Sequence, residues 1–148
     1  MSGMPRPGEQ VELDVEKPAA GGRMLARHGG LVVLVAAAIP GERVRARVER
    51  VGKGVVFAET TEVVSASPDR RPVDGDWRCG GSVFLHVAYP RQVQIKGAII
   101  HDALTRIGRL EVAAPIEVLP SPESGYRMRA RLHVGGGRVG FYREGTHD

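Results

Sequence analysis

The stretch GLVVLVAAAIPGERVRARV, residues 30–48, predicts two strands joined by a tight turn. Its first half, Leu31–Val35, is a short apolar run rich in β-branched residues, which is typical of a buried strand. Pro40, Gly41 and Glu42 then predict a chain reversal, because proline presets φ and glycine permits a sharp turn. This pair of strands is the starting point for interpreting the rest of the chain.

The second half of the stretch alternates arginine with small apolar residues, in the order Arg43, Val44, Arg45, Ala46, Arg47, Val48. A period of two places the three guanidinium groups on one side of a strand and the apolar groups on the other. Arginine forms bidentate hydrogen bonds to phosphate, so this face is a candidate RNA contact. The alternative is a solvated strand face that discourages edge-to-edge aggregation.

Further short strands flank this pair. Val11–Val15 alternates apolar and acidic residues, Arg23–His28 precedes a double glycine, and Val55–Val64 follows the Gly52-Lys53-Gly54 break. Five short strands separated by glycine turns predict a small closed barrel at residues 10–67. Residues 1–9, with two prolines and two glycines, are predicted to be a flexible tail.

The pattern changes after Ser67-Pro68, and residues 68–148 are predicted to form a second, incomplete α+β region. A helix is predicted from Pro90 to Gly108, with an apolar stripe at Val93, Gly97, Ile100, Leu104 and Ile107. Three strands are expected at Pro115–Leu119, Tyr126–Val134 and Arg138–Arg143. Arg127, Arg129 and Arg131 alternate with apolar residues there and repeat the cationic pattern. The fold class is therefore mostly β, a five-stranded barrel followed by one helix and an antiparallel sheet.

Composition limits the possible functions. The formal net charge is +4, a modest positive balance that fits a nucleic-acid partner. A single cysteine excludes a disulfide framework and an all-cysteine metal site within one chain. The five histidines show no metal-site spacing; they are His28, His86, His101, His133 and His147. No signal peptide or membrane-spanning stretch is found, so a cytoplasmic protein is expected.

Aromatic residues make up only 5% of the chain, which argues against RNA binding by base stacking alone. Phe57, Phe84 and Phe141 lie in apolar, strand-like contexts and are predicted to be core residues. Trp77 lies in a glycine-rich loop and is the one aromatic side chain expected to be available for stacking.

Residues from about Gly8 to Ser67 resemble a TRAM domain, an RNA-binding module with an oligonucleotide-binding-type (OB-like) barrel. The shared features lie in the glycine break, the apolar strand, the proline turn and the closing segment, at Gly21-Gly22, Leu31–Val35, Pro40-Gly41-Glu42, and Ser67-Pro68 with Arg70. The remainder resembles the start of the central domain of RNA uracil-5-methyltransferases. Its matching pieces are Cys79-Gly80-Gly81, Tyr89, Gln92, Lys96, Ile107-Gly108, Pro120-Ser121-Pro122, Tyr126-Arg127 and Val139-Gly140-Phe141.

The chain departs from that family at its iron–sulfur positions. Cluster-carrying members have three cysteines where this sequence has Val73, Cys79 and Ser82. Because a cluster is normally held by four cysteines, none is expected here. Cys79 has no evident His/Asp or His/Asn pair to activate it, so an inert thiol is favoured over a nucleophile.

The resemblance implies an S-adenosylmethionine-dependent enzyme whose donor-binding and catalytic domain does not match this chain. We therefore expect an RNA-binding portion that is inactive alone and needs no cofactor itself, with structured rRNA or tRNA rather than DNA as partner. The candidate contacts are Arg23, Arg43, Arg45, Arg47, Lys53, Arg70, Arg127 and Arg129. For Arg70 a linker role is equally compatible. Two alternatives remain: a stand-alone RNA-binding or RNA-chaperone protein, and arginine faces that bind protein.

Overall fold

A computed structural model describes residues 4–146, in which five strands close into a barrel. The strands are β1 (Gln10–Pro18), β2 (Met24–His28), β3 (Leu31–Ala36), β4 (Arg43–Gly52) and β5 (Val55–Ser65). Around the barrel they follow the order β1-β2-β3-β5-β4, and β1 pairs with β4 to close it. All pairs are antiparallel except β3 with β5. The predicted five-stranded barrel is confirmed.

The barrel core follows from the period-two pattern. On β4, Val44, Ala46 and Val48 are at most 1% exposed, as the alternation predicts. They meet inward-pointing residues of the other strands, among them Leu13, Met24, Val33, Val35 and Val56. Because a closed barrel has no free edge strand, every strand is hydrogen-bonded on both sides.

The structure differs from the predicted flexible tail at the residues next to β1. Gly8 donates its backbone N–H to the carbonyl of Val48 at 2.8 Å, and Val48 donates to the carbonyl of Glu9 at 2.9 Å. These bonds extend the β1–β4 pairing beyond the predicted start at residue 10. Residues 1–3 of the predicted tail lie outside the described residues.

The second region contributes α1 (Tyr89–Asp102), which continues as a π-helical segment (Ala103–Ile107) and ends at Gly108. The predicted helix is confirmed, but its predicted stripe is only partly correct. Ile95 and Gly97 are the buried positions, whereas Ile100 and Ile107 are 43% and 62% exposed. Ile95 packs into the barrel core. Contact with the barrel, and not the apolar stripe in the sequence, therefore determines which face of α1 is buried. No helix among residues 4–146 is long and apolar enough to cross a membrane.

The predicted strands of the C-terminal segment are mostly wrong. Only β6 (His133–Gly135) and β7 (Arg138–Gly140) form, as a two-stranded antiparallel hairpin, and residues 115–119 and 126–132 form no strand. Residues 119–139 are exposed throughout, so no packed face exists against which longer strands could be stabilised. The alternating Arg127, Arg129 and Arg131 therefore do not share one face of a strand.

Candidate nucleic-acid interface

The three β4 arginines point outward, as predicted. The side chains of Arg43, Arg45 and Arg47 are 54%, 52% and 51% exposed, while the residues between them are buried. The position of these side chains on one outer face is thus confirmed. The β4 alternation does not, however, predict the carboxylates that lie beside these arginines.

Each of these arginines is paired with a carboxylate on a neighbouring strand. Arg43 Nε lies 2.7 Å from Glu12, Arg45 Nη1 lies 2.7 Å from Glu62, and Arg47 Nη2 lies 3.7 Å from Glu59. The cross-strand register explains the pairing, because acidic residues of β1 and β5 stand beside the arginines of β4. We call this set of residues the charge-ladder face. The positive charge of this face is balanced by the carboxylates. It is not the strongly cationic surface that the alternation on β4 alone predicts.

Arg23, another predicted RNA contact, has little access to solvent. Its side chain is 15% exposed and donates hydrogen bonds to Glu49 at 2.6 Å, to Glu144 at 3.2 Å and to the carbonyl of Ala58 at 3.1 Å. Burial lowers the pKa of Arg23, but the hydrogen bonds and charges of the two carboxylates outweigh it, and the pKa is raised. Arg23 thus ties the barrel to the C-terminal segment.

Arg70 is also engaged inside the protein. Its Nε and Nη2 donate to the two oxygens of Glu42 at 2.6 and 2.7 Å, and Nη2 also donates to the carbonyl of Ala37 at 2.9 Å. The linker role considered for Arg70 fits this arrangement, because the guanidinium holds the chain after β5 against the barrel; RNA contact at Arg70 stays a prediction.

Glu42, the partner of Arg70, is 1% exposed and also accepts the backbone N–H groups of Ile39 and Ser67. Burial alone raises the pKa of Glu42. The hydrogen bonds from Arg70, Ser67 and Ile39 outweigh burial and hold the pKa below its usual value. The Pro40-Gly41-Glu42 turn thus supplies a buried anion that anchors the second region.

A second outer face of the barrel has a different character. On β5, Val56 and Ala58 point into the core, so Phe57 between them points outward and is half-exposed. Its prediction as a core residue is wrong. The guanidinium carbon of Arg50 lies 3.4 Å from the centroid of the Phe57 ring. This is close contact for a cation and an aromatic face.

The Phe57 ring lines a shallow cleft of about 340 Å³ together with Leu34, its partner on β3, and Arg50. The guanidinium carbon of Arg23 lies 5.6 Å from the ring centroid, and the two carboxylates that pair with Arg23, Glu49 and Glu144, line the same cleft. Gly52 lies beside the ring, since a methyl group there would stand 3.7 Å from it. Lys53 is exposed in the adjoining β4–β5 turn. We call Leu34, Arg50, Lys53 and Phe57 the Phe57 face; within residues 4–146, neither of its cations has a carboxylate partner.

Other aromatic predictions divide. Phe84 packs against the core, as predicted. Phe141 was predicted to be core but is 40% exposed. Trp77 is half-buried, with the Arg78 guanidinium 5.1 Å from its ring, so it is less available than predicted. On β5 the alternation of the strand, and not the bulk of the ring, determines which side chain points into the core.

The positions related to an iron–sulfur cluster serve a backbone role. Cys79 is half-buried and forms an isolated β-bridge with Arg143, while Val73 is 36% exposed. With one thiol, these residues do not fit a cluster. No group of three or more His, Cys, Asp or Glu side chains suited to a metal occurs in the described part of the chain.

Comparison with known proteins assigns the barrel to a family. Residues 6–61 match the model of the TRAM domain, so the barrel is a TRAM domain. An RNA methyltransferase of Bdellovibrio bacteriovorus is 32% identical, over 95% of this chain and 36% of that protein. The 23S rRNA (uracil(1939)-C(5))-methyltransferase of Methylococcus capsulatus is 35% identical, over 86% of this chain and 29% of that protein. The solution structure of a conserved Methanococcus maripaludis protein is 32% identical, over 38% of this chain and 80% of that protein, with a TM-score of 0.36.

The chain thus combines a TRAM domain with a region that extends the similarity over nearly its full length. It is related to the RNA methyltransferases that include uracil-C5 enzymes, and it spans about a third of the length of the curated relatives it matches. The resemblance on which the sequence analysis rests is confirmed.

Proposed function

We propose that this chain is the RNA-binding portion of an S-adenosylmethionine-dependent RNA uracil-C5-methyltransferase that acts on structured rRNA or tRNA in the cytoplasm. The observation that carries the proposal is the Phe57 face of the TRAM barrel. It combines an outward aromatic ring with two cations that lack carboxylate partners among the described residues. The arginines of the charge-ladder face, by contrast, are already paired with carboxylates.

The Phe57 face suits an unpaired nucleotide. Stacking of a base on an aromatic ring contributes about 1–3 kcal/mol and tolerates any base. Arg50 and Lys53 add attraction for the phosphates on either side of that base, which makes the affinity depend on salt. Such a site holds and orients RNA through shape and backbone contacts.

In this proposal the chain performs no chemistry. The methyl donor and the groups that activate uracil belong to a portion of the family that these 148 residues do not match. The part of the chain described here contributes substrate positioning, which matters because a correctly held nucleotide turns a bimolecular encounter into an oriented reaction. No iron–sulfur cluster has a role, since Val73 and Ser82 replace two of the expected thiolates.

Filter binding of a labelled RNA stem–loop with a uridine-rich loop tests the proposal. We expect binding to weaken at least tenfold between about 50 and 200 mM salt. Phe57→Leu should weaken it about fivefold or more through lost stacking, and Arg50→Gln should weaken it and flatten its salt dependence. Leu25→Ala, at a half-buried outward position of β2, is a control. Salt-independent binding, or a Phe57→Leu variant as tight as the parent, would contradict the proposal.

A further inference from the structure

We propose that the β6–β7 hairpin carries a second RNA-binding site, which stacks an unpaired base on Phe141. This hairpin site consists of Arg138 on β7, Phe141 directly after it, and Tyr126 and Arg127 in the segment before β6. It rests on the proposed function in that both sites bind one RNA, but it lies outside the TRAM barrel and uses different residues. Three observations support it.

The first observation is the way Phe141 is held. A methyl group at Gly81 would lie 3.1–3.4 Å from three atoms of the Phe141 ring, so the ring packs close against Gly81, where only a glycine leaves room for it. Gly80 donates its N–H to the carbonyl of Tyr142 at 3.0 Å, and Cys79 bridges to Arg143. The backbone of Cys79-Gly80-Gly81 therefore holds residues 141–143 in position by hydrogen bonds and by contact with the Phe141 ring. The ring remains 40% exposed and is fixed in place.

The second observation is the position of Arg127 beside two exposed rings. Its guanidinium carbon lies 5.8 Å from the centroid of Phe141 and 6.0 Å from that of Tyr126, which is 53% exposed. A guanidinium within about 6 Å of an aromatic face is attracted to it and orients it. The same guanidinium can donate to the phosphate of a nucleotide whose base lies on the ring.

The third observation is the uncompensated charge. Residues 126–143 contain five arginines and no aspartate or glutamate. Of these arginines only Arg143 has a carboxylate partner within residues 4–146, Asp76 at 3.5 Å. The contrast with the charge-ladder face is direct, since there each arginine stands beside an acidic residue.

The uncompensated charge favours RNA over protein as the ligand. The segment also exposes apolar groups such as Leu119 and Met128, at 82% and 96%. The buried centre of a protein–protein interface is depleted in charged residues, however, and here arginine alternates with the apolar groups. Aromatic rings among unpaired arginines are the pattern expected for single-stranded nucleic acid.

The test compares two RNAs with the full chain. One is a fluorescein-labelled stem–loop with a uridine-rich loop, and the other is a blunt duplex of the same stem. Phe141→Leu retains apolar packing on Gly81 but removes the ring, and we expect it to weaken stem–loop binding about five- to tenfold without changing duplex binding. Val139→Ala, at a 63% exposed position of the same hairpin, should bind both RNAs like the parent.

Arg127→Gln provides a second variant, because the Arg127 side chain is exposed and can be replaced without disturbing the contact between Gly81 and Phe141. Weaker stem–loop binding with an unchanged melting temperature supports the hairpin site. If Phe141→Leu and Arg127→Gln bind the stem–loop like the parent while Phe57→Leu binds it weakly, the hairpin site is overturned, the proposed function stands, and this surface is left to protein contacts. A parent chain that binds neither RNA overturns both.

Discussion

The charge-ladder face and the C-terminal segment carry arginines in the same alternating pattern, yet the two regions place them in opposite electrostatic settings. On the charge-ladder face Arg43, Arg45 and Arg47 each meet a carboxylate from β1 or β5, because the barrel brings three strands into register. In residues 126–143 no acidic residue is present, and the described structure provides only Arg143 with a partner. Paired arginines therefore serve the fold, and unpaired ones are available to a ligand.

The largest effect is expected at the ion pair whose carboxylate is fully buried, Arg70 with Glu42. Arg70→Met removes the partner of Glu42, whose carboxylate then remains buried without its compensating cation. Breaking a buried ion pair in this way costs about 3–5 kcal/mol of unfolding free energy. Urea denaturation measures this change. Arg47→Met, whose side chain is 51% exposed and 3.7 Å from its carboxylate, is the control and should change stability by less than about 1 kcal/mol.

If the two variants proved equally stable, the distinction between structural and available arginines would fail at the pair with the most buried carboxylate. Glu42→Gln offers an independent check. It keeps the shape of the side chain but removes the charge that Arg70 compensates, so it too should destabilise the chain more than Arg47→Met.

The next largest effect concerns the unpaired arginines. Replacing Arg129, Arg131 and Arg138 together by glutamine should weaken stem–loop binding about tenfold at low salt, because three phosphate-binding charges are lost. The slope of log K against log salt should become shallower by up to about 2, since each single-strand phosphate contact contributes about 0.7. The melting temperature should not change, because these side chains are exposed and lack carboxylate partners within residues 4–146. A lower melting temperature with unchanged binding would reverse their assigned role.

A loss of stability at lower pH is expected where the second region meets the barrel. His86 is 3% exposed, and its Nε2 lies 3.0 Å from the carbonyl oxygen of Ala38. Burial lowers its pKa most; the hydrogen bond to the Ala38 carbonyl raises it, the nearby charge of Arg70 lowers it, and Glu42 raises it least. The folded pKa is therefore below the usual 6.5, the unfolded chain takes up the proton first, and stability falls as pH drops below 6.5.

Urea titrations at about pH 7.5 and 5.5 measure this effect. His86→Gln, which retains a donor toward Ala38, should show a smaller loss between the two pH values. The depressed pKa of Glu42 acts in a different window, because its stabilisation is lost only as pH falls below about 4.5. A parent chain equally stable at the two higher pH values would contradict the role given to His86.

The sequence predicts the barrel well because each strand carries its own signal. Alternating buried and exposed positions on β1 and β4 and glycine turns between strands are local features, and they determine the faces correctly. The pairing of Glu12 and Glu62 with the β4 arginines depends instead on strand order and register, which no single strand contains. The alternating acidic residues of Val11–Val15 were the one signal for this pairing. That signal can be interpreted only when β1 is known to lie antiparallel to β4.

The aromatic and C-terminal predictions failed for related reasons. Phe57 lies between Val56 and Ala58, and its bulk suggested the core, but the alternation of β5 turns its two neighbours inward and the ring outward. Residues 126–132 do alternate, yet a strand forms only when a neighbour and a buried face stabilise it. Phe141 was misassigned because its contact with Gly81 is distant in sequence and leaves one side of the ring open.

The smallest effect is expected where the sequence alone pointed most strongly. Replacing Arg43, Arg45 and Arg47 together by glutamine should change RNA affinity less than about threefold, because each guanidinium already faces a carboxylate. Stability should fall only slightly, since exposed ion pairs contribute about 0–1 kcal/mol each. The reverse change tests whether the neighbouring carboxylates, and not the arginine alternation itself, determine RNA affinity. Replacing Glu12 and Glu62 by glutamine removes the nearest carboxylates of Arg43 and Arg45, so RNA binding should become tighter and more salt-dependent. A tenfold loss in the arginine variant would instead mean that RNA displaces the carboxylates and binds the charge-ladder face directly.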